Sequence, residues 1–335
     1  MAQLASPSWI LFLFTLVLGI FISVSRSNWL SAWIGLELNL LSFIPLVASS
    51  KNVYTSEGSL LYFIIQALGS ATLLVPVTCY FLPISILYFI LTISLILKTG
   101  AAPLHFWFPP VIQSISLTQC IILISLQKIA PLNLLSTLLD LETIGLPILL
   151  ISIASRLVGS LGGLNQTQTR KILAYSAINH TAWFIAALSI STSLWTFYFS
   201  VYFVIVSTVI LFFQSQQIFH ISHTTNTTIP PTLLKIFTFF NLISLAGLPP
   251  LLGFFPKLFV IKSIITDNQL IWISSLLISN LIATYFYFRL TLTSFTLSST
   301  KIKPSSRPTH LRLCLSTTVF NIFPGWLLLL FFIPY

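Results

Sequence analysis

An all-α, polytopic transmembrane helical bundle is the fold class this sequence predicts, and three observations carry the prediction. Of 335 residues only 6% are charged while 56% are hydrophobic, and the mean hydropathy is +1.00. A soluble domain has about a quarter of its residues charged, so no water-facing surface of ordinary chemistry is available. The apolar runs are long and continuous, near the roughly 20 residues a bilayer-spanning helix needs. They lack the short alternating segments of a membrane barrel. They also follow one another almost end to end, which makes the core a set of spans packed in lipid.

About eleven spans are expected, set by length and apolar content. The first, 9–24, ends at the tight turn Ser25–Asn28, and the second runs 29–49. Leu82–Pro83 divides the third, 59–82, from the fourth, 84–108. The fifth, sixth and seventh occupy 117–137, 143–162 and 172–190. The eighth, 194–219, gives way to a Ser- and Thr-rich loop from His220 to Pro231. The ninth and tenth, 235–266 and 270–291, precede a second polar loop, Ser298 to Thr309, and 312–333 is the last span. Nothing resembles a separate soluble domain. Residues 1–335 are expected to form one integral membrane domain, with a first half-channel at about 29–190, a second at about 194–291, and the C-terminal span beyond. The first apolar stretch lacks a basic leader and reads as a span, not a cleavable signal or transit peptide.

The net charge of +10 is not gathered into a nucleic-acid-binding stripe. If loops alternate sides, one face receives Lys51, Arg170, Lys171, Lys235, Lys301, Lys303, Arg307 and Arg312, and the other Arg26 with Asp140, Glu142 and Asp267. Positive residues stay on the side of insertion, so the N-terminus is expected on the matrix or cytoplasmic side and the C-terminus opposite. Cys79, Cys120 and Cys314 have no metal-ligand spacing, which excludes a disulfide framework, structural zinc or an iron–sulfur cluster. No strand, Gly-rich loop and helix pattern for a dinucleotide exists either.

Two spans carry a repeated break. Gly100-Ala-Ala-Pro103 is followed by Phe108-Pro109, and Gly247-Leu-Pro-Pro250 by Phe255-Pro256, an offset of 147 residues (247 − 100). With alternating loops the two spans run in opposite directions. Discontinuous helices in matching positions of inverted halves mark transport folds with an ion path near the midplane. Pro103 frees the carbonyl of Thr99, and Pro249 and Pro250 free those of Leu245 and Ala246. Such carbonyls are tolerated in hydrocarbon where they line a wet cavity or meet polar partners. A kink with packing consequences only is the alternative; two matching breaks, each beside a lysine, favour function.

An ionisable residue at bilayer depth costs about 2.5–3.5 kcal/mol on insertion scales. At 1.5 Å per residue Glu37 lies roughly 12 Å from the outer face, Lys128 and Lys257 roughly 14 Å, and Lys98 roughly 21 Å. These four form one expected buried layer. Lys262, Arg289 and Arg156 lie within about six residues of a span end and are expected to snorkel to the interface. Lysine suits a proton relay because burial favours its neutral amine while a nearby carboxylate favours the ammonium. Glu37 is then the modulator, Lys98 responds to it, Lys128 accepts from Lys98, and Lys257 serves the second half-channel. The alternative for Glu37 and Lys98 is a structural ion pair. Gln127, whose carbonyl Pro131 frees, adds polar lining beside Lys128. His180, inside its span, is either a proton shuttle or a packing histidine, and His105 points to a structural or gating role. Twenty-nine phenylalanines and eight tryptophans fit lipid-facing surfaces and interfacial belts.

Several segments resemble the chain 2 family of animal mitochondrial NADH–ubiquinone oxidoreductase, an antiporter-like subunit of the complex I membrane arm. They are Trp33-Ile-Gly-Leu-Glu37, Lys98-Thr-Gly-Ala-Ala-Pro-Leu-His-Phe-Trp107, Gln127-Lys-Ile-Ala-Pro131, Gly162 to Lys171, Ala174 to His180, and Gly247-Leu-Pro-Pro250 with Gly253-Phe-Phe-Pro-Lys257. The resemblance implies proton translocation across the inner mitochondrial membrane coupled to electron transfer from NADH to ubiquinone. It puts the family's acid–lysine pair on Glu37 and Lys98, its central lysine on Lys128 and its late broken-helix lysine on Lys257. It further implies no cofactor in this chain, with FMN, iron–sulfur clusters and the ubiquinone site in other subunits. Its implied partners are the antiporter-like chain 4, the small chain 4L, accessory subunits, and lipids such as cardiolipin. Bacterial relatives have three further N-terminal spans, and eleven spans agree with the mitochondrial truncation. Pro110 departs from the family, which often has Glu there. The competing classes are a free-standing cation/proton antiporter and a structural membrane anchor.

Overall fold

The computed structural model describes residues 7–48, 52–79, 83–139, 145–226, 231–249 and 251–296. Among these residues every regular element is helical, apart from one isolated bridge between Gln168 and His220. The helices, in chain order, are α1 (Pro7–Val24), α2 (Trp29–Val47), α3 (Val53–Thr78), α4 (Ile84–Thr99), α5 (Phe108–Ser114), α6 (Leu117–Ile124), α7 (Leu126–Leu139), α8 (Gly145–Leu164), α9 (Thr169–Leu188), α10 (Thr192–Ser215), α11 (Pro231–Ala246), α12 (Phe254–Thr266) and α13 (Leu270–Thr296). Seven helical segments among the described residues are long and apolar enough to cross a membrane, α6 and α7 counting as one. The helical bundle is therefore as expected, while the expected span at 312–333 lies outside the described residues.

Three spans are interrupted, two of them where breaks were expected and the third where none was. The fourth ends at Thr99 and resumes at Phe108, and the ninth ends at Ala246 and resumes at Phe254. Both interruptions fall at the Gly-x-x-Pro motifs. The fifth is interrupted at Ser125, which takes φ −112° and ψ −77° between α6 and α7. No glycine or proline marks that point, so the sequence carried no signal for it. The third span also begins six residues earlier than expected, at Val53.

The chain divides into two compact units, Met1–Ser155 and Arg156–Tyr335. In the first, α1 and α2 pack at backbone distance. A Cβ on Gly35 would stand 2.6 Å from the Ser23 nitrogen and 2.7 Å from the Gly19 carbonyl. Lipid tails are as apolar as leucine, so helix association in a bilayer depends on such close contacts of small residues. Arg26, in the turn between them, stacks on the Trp29 ring at 4.0 Å and donates to Thr137 of α7.

In the second unit the segment between α8 and α9 is tied to the end of α10. The Thr169 nitrogen donates to the Phe219 carbonyl at 3.0 Å, its hydroxyl to Ile218 at 2.9 Å, and the Ile221 nitrogen to Thr167 at 3.0 Å. Helix α9 is buried along its whole length except at Arg170, Lys171 and Tyr175, and Gly159 of α8 lets it approach. A Cβ on Gly159 would lie 2.6 Å from the Asn179 nitrogen. Arg289, expected to snorkel, is instead part-buried and donates to the carbonyls of Leu164, at 2.6 Å, and Gln166. It satisfies carbonyls left open where α8 ends, which fixes a cation at the negative end of a helix. Lys262 is exposed, consistent with its expected place at the edge.

The α1–α2 contact predicts that Gly35→Val, which adds volume against backbone atoms, destabilises the first unit by roughly 1–3 kcal/mol. Thermal unfolding of the detergent-solubilised variant should show a lowered midpoint, and a wild-type midpoint would refute the contact.

Candidate functional site: lysines at two broken helices

The two breaks share one hydrogen-bonding pattern. Gly100 takes φ +70° and donates to the Ile96 and Leu97 carbonyls, and the Ala101 nitrogen returns to Ile96 at 3.3 Å. Gly247 takes φ +75° and donates to Ile243 and Ser244, with the Leu248 nitrogen returning to Ile243 at 3.4 Å. Each residue of the second set lies 147 positions beyond its counterpart in the first. A left-handed residue closing a helix in this way is strongly favoured by glycine, because a Cβ there clashes with the following carbonyl. The repeat seen in the sequence is thus a repeat of backbone conformation.

At the first break Lys98 sits in the last turn of α4 and Lys128 in the first turn of α7. They are 6% and 2% exposed, too buried for their ammonium groups to reach an interface along the surface. Gly69 of α3 lets this packing occur, since a Cβ there would meet Lys98 Cγ at 3.1 Å. Both lysines line one cavity with Asn39, Tyr62, Gln66, Thr99, Trp107, Phe108 and Gln127. The space open to water centres is ≈ 20 Å³, and one such centre occupies about 10–15 Å³, so the cavity admits water.

Its walls are held by polar side chains from separate helices. Gln127 donates to Asn39 Oδ1 at 2.9 Å and accepts from the Tyr62 hydroxyl at 3.2 Å, which joins α2, α3 and α7. Trp107 Nε1 donates to the Leu97 carbonyl at 3.2 Å, and Gln66 Nε2 to that of Lys98 at 3.4 Å. These side chains answer carbonyls at the end of α4. Lys128 Nζ stands over the Phe108 ring at 4.8 Å, a geometry that favours a cation. Glu37, on α2, is half-buried and within electrostatic reach of Lys98 without lining the cavity. His105 is bonded through Nδ1 to the Pro103 carbonyl at 3.2 Å, inside the break.

At the second break the lysine itself meets the carbonyls. Lys257, in α12 and 3% exposed, donates to Ala246 at 2.6 Å, Leu245 at 3.3 Å and Asn280 Oδ1 at 3.1 Å. Leu245 and Ala246 are the carbonyls that Pro249 and Pro250 were expected to free. Gly247 is essential here twice over: its φ is positive, and a Cβ would lie 2.7 Å from both Lys257 Cδ and Nζ. Gly253 brings the start of α12 against the Ser244 carbonyl.

Arg156 is a functional candidate that the sequence reading missed. It is fully buried, not snorkelling. Its Nε donates to Ser279 Oγ at 3.0 Å and to the Leu276 carbonyl at 3.3 Å. Nη1 binds Asn179, and Nη2 donates to Asn280 Oδ1 at 2.7 Å, the oxygen Lys257 also uses. Distance from a span end gave the wrong answer because the residue points into the bundle. A polar side chain one turn away, Ser160, and the run Ser279-Asn280 on α13 were the available signals. His180 is 4% exposed, lies 3.2 Å from the Tyr198 hydroxyl through Nδ1 and packs on the Tyr202 ring at 4.6 Å. It belongs to a buried polar group with these two tyrosines. Among the described residues no cluster of three His, Cys, Asp or Glu side chains suits a metal.

Buried lysines beside two like-capped helix breaks define an antiporter-like membrane bundle. Solved structures share that fold: a chain of respiratory complex I from Thermus thermophilus with bound aureothin superposes with a TM-score of 0.83 at 20% identity, over 96% of this chain and 78% of that one. A chain of the Mrp complex from Dietzia sp. DQ12-45-1b gives 0.80 at 15%, over 95% and 75%. The family model described as NADH:quinone oxidoreductase/Mrp antiporter, TM, matches residues 26–83 and 80–283. Similar curated proteins are the NADH-ubiquinone oxidoreductase chain 2 of Anopheles gambiae, 40% identical over 87% of both chains, and that of Bos taurus, 36% identical over 84% of both. The chain belongs to the NADH:quinone oxidoreductase/Mrp antiporter family, on its NADH–ubiquinone oxidoreductase chain 2 branch.

Gly247→Ala should displace the Lys257 ammonium from the Leu245 and Ala246 carbonyls and strain the backbone by about 1–2 kcal/mol. Quinone-linked NADH oxidation by the assembled complex is expected to fall several-fold, and an unchanged rate would show that this contact is dispensable.

Proposed function

We propose that this chain moves protons through a buried lysine relay, as a membrane subunit of the proton-translocating respiratory NADH–ubiquinone oxidoreductase. Membership of the complex follows from the chain 2 family. The relay rests above all on one observation: two buried lysines, Lys98 and Lys128, line a single cavity that admits water. An anchor would have no use for such groups, each disfavoured in hydrocarbon by about 2.5–3.5 kcal/mol.

In this reading Glu37 modulates Lys98 from electrostatic reach, Lys98 passes a proton to Lys128 by way of water, and Lys257 serves the second half-channel. A carboxylate nearby stabilises the ammonium, and its withdrawal favours the amine, so a change in the Glu37 charge or position drives uptake and release. His180, beside Tyr198, is a further shuttle. The half-channels are taken as about 29–190 and 194–291. The chain acts in oxidoreduction by coupling alone, with FMN, iron–sulfur clusters and the ubiquinone site in other subunits. Its neighbours are taken to be chain 4, chain 4L and accessory subunits, with cardiolipin among its lipids. The N-terminus faces the matrix and the C-terminus the intermembrane space, as the basic loops direct. A free-standing cation/proton antiporter is less well supported, since the curated relatives carry the name of an oxidoreductase chain.

Lys128→Met in the assembled complex should depress proton translocation and quinone-linked turnover together, by an order of magnitude or so if one general relay step is lost. Proteoliposomes with a pH-sensitive dye would reveal this, and full pumping in a correctly assembled variant would defeat the relay. Glu37→Gln removes a modulator and leaves every relay member in place. Its turnover should therefore fall less than that of Lys128→Met in the same assay.

A further inference from the structure

The third acceptor of Lys257 is not its own. An ammonium has three donors and no acceptor capacity, and Leu245 O, Ala246 O and Asn280 Oδ1 match that number. Asn280 Oδ1 also accepts from Arg156 Nη2 at 2.7 Å. A guanidinium does not lose its proton in a protein. A permanent cation and a titratable one therefore share one oxygen, within two hydrogen bonds of each other. Both also face the indole of Trp183, Arg156 at 5.1 Å and Lys257 at 6.0 Å.

Among the described residues of this unit no acid contacts the pair. The single acid of this unit, Asp267, is exposed at the end of α12, ten residues beyond Lys257 and about 15 Å along the axis. The other titratable groups of this interior are the phenols of Tyr198, Tyr202 and Tyr287 and the imidazole of His180. From α10 and α13 come the hydroxyls of Tyr198 and Tyr287, both within electrostatic reach of Arg156. From α9 comes His180, bonded to Tyr198, and α11 presents backbone carbonyls. Arg156 is held rigidly, since Nε and Nη1 are committed to Ser279, Leu276 and Asn179. It cannot retreat when Lys257 is charged.

We propose that Arg156 is a positioning residue for Lys257: it holds Asn280 in place as the acceptor and, as a fixed cation one side-chain atom away, presses the ammonium to release its proton. The proton passes to a water molecule, the nitrogen keeps the lone pair as a neutral amine, and Asn280 Oδ1 remains bound to Arg156. Reprotonation from water restores the three-acceptor arrangement. The proposal rests on the reading of Lys257 as a relay member.

The test compares four variants in the assembled complex, with assembly checked by native electrophoresis and proton-coupled turnover followed against pH. Arg156→Lys keeps the cation and should retain the wild-type profile. Arg156→Gln keeps a donor for Asn280 but loses the charge, so Lys257 holds its proton to higher pH. The profile should move upward by roughly one to two pH units. Asn280→Asp keeps shape and still accepts from both partners, yet its carboxylate locks the ammonium. Turnover should drop at least tenfold while assembly persists. A merely structural role predicts the opposite for Asn280→Asp, full activity, and no movement of the profile in either arginine variant; those results overturn the proposal. If Arg156→Gln does not assemble, the Asn280→Asp arm decides alone. Lys257→Met separates the two readings: unchanged turnover there refutes the relay role of Lys257 itself, whereas loss there with a neutral Asn280→Asp refutes only the role of Arg156.

Discussion

Hydrocarbon tolerates neither an unpaired carbonyl nor an unpaired ammonium, and this protein lets each answer the other. A proline in a helix removes a donor and leaves a carbonyl open. At the second break two such carbonyls are taken up by Lys257, so the broken backbone makes the site for the charge. The charge in turn makes the break tenable. Elsewhere in the bundle the same constraint appears without lysine, as Arg289 closing the carbonyls after α8 and Trp107 closing one on α4.

The two breaks are alike in backbone and unlike in chemistry. Both end on a glycine with positive φ and the same pair of returning hydrogen bonds. Yet Lys98 precedes its glycine by two residues, whereas Lys257 follows its own by ten. The position matching Lys257 in the first copy is Pro110, and that matching Lys98 in the second is Leu245. The first lysine therefore opens into a cavity with Lys128, and the carbonyls of its own helix end are met by Gln66 and Trp107. The second is gripped by its break. One duplicated scaffold thus supports two different ways of holding a proton-binding nitrogen.

Close helix contact sets the geometry in which these sites work. Gly35 against Ser23 and Gly159 against Asn179 bring backbones together where no larger residue fits. The second contact also fixes Asn179, which receives Arg156. Small residues therefore act at one remove on charge: they decide which polar groups come within hydrogen-bond range. A fold shared with chains of complex I and Mrp complexes fits this division, since similar bundles at 15–20% identity preserve the scaffold while side chains vary.

Much was legible in the sequence because its physics is local. Long apolar runs gave the helical membrane class, Gly-x-x-Pro gave two breaks and, at the second, the two carbonyls that Lys257 meets, and rarity of charge singled out Lys98, Lys128 and Lys257. Direction around a helix and partners from distant segments are not local, and only the tertiary structure decided them. It turned Arg156 inward onto Asn280 and Asn179, drew Arg289 to the end of α8, and interrupted the fifth span at Ser125. A residue's depth follows from counting along its own helix. Whether it faces lipid or another cation's acceptor depends on residues more than a hundred positions away, as Ser279 and Asn280 are from Arg156.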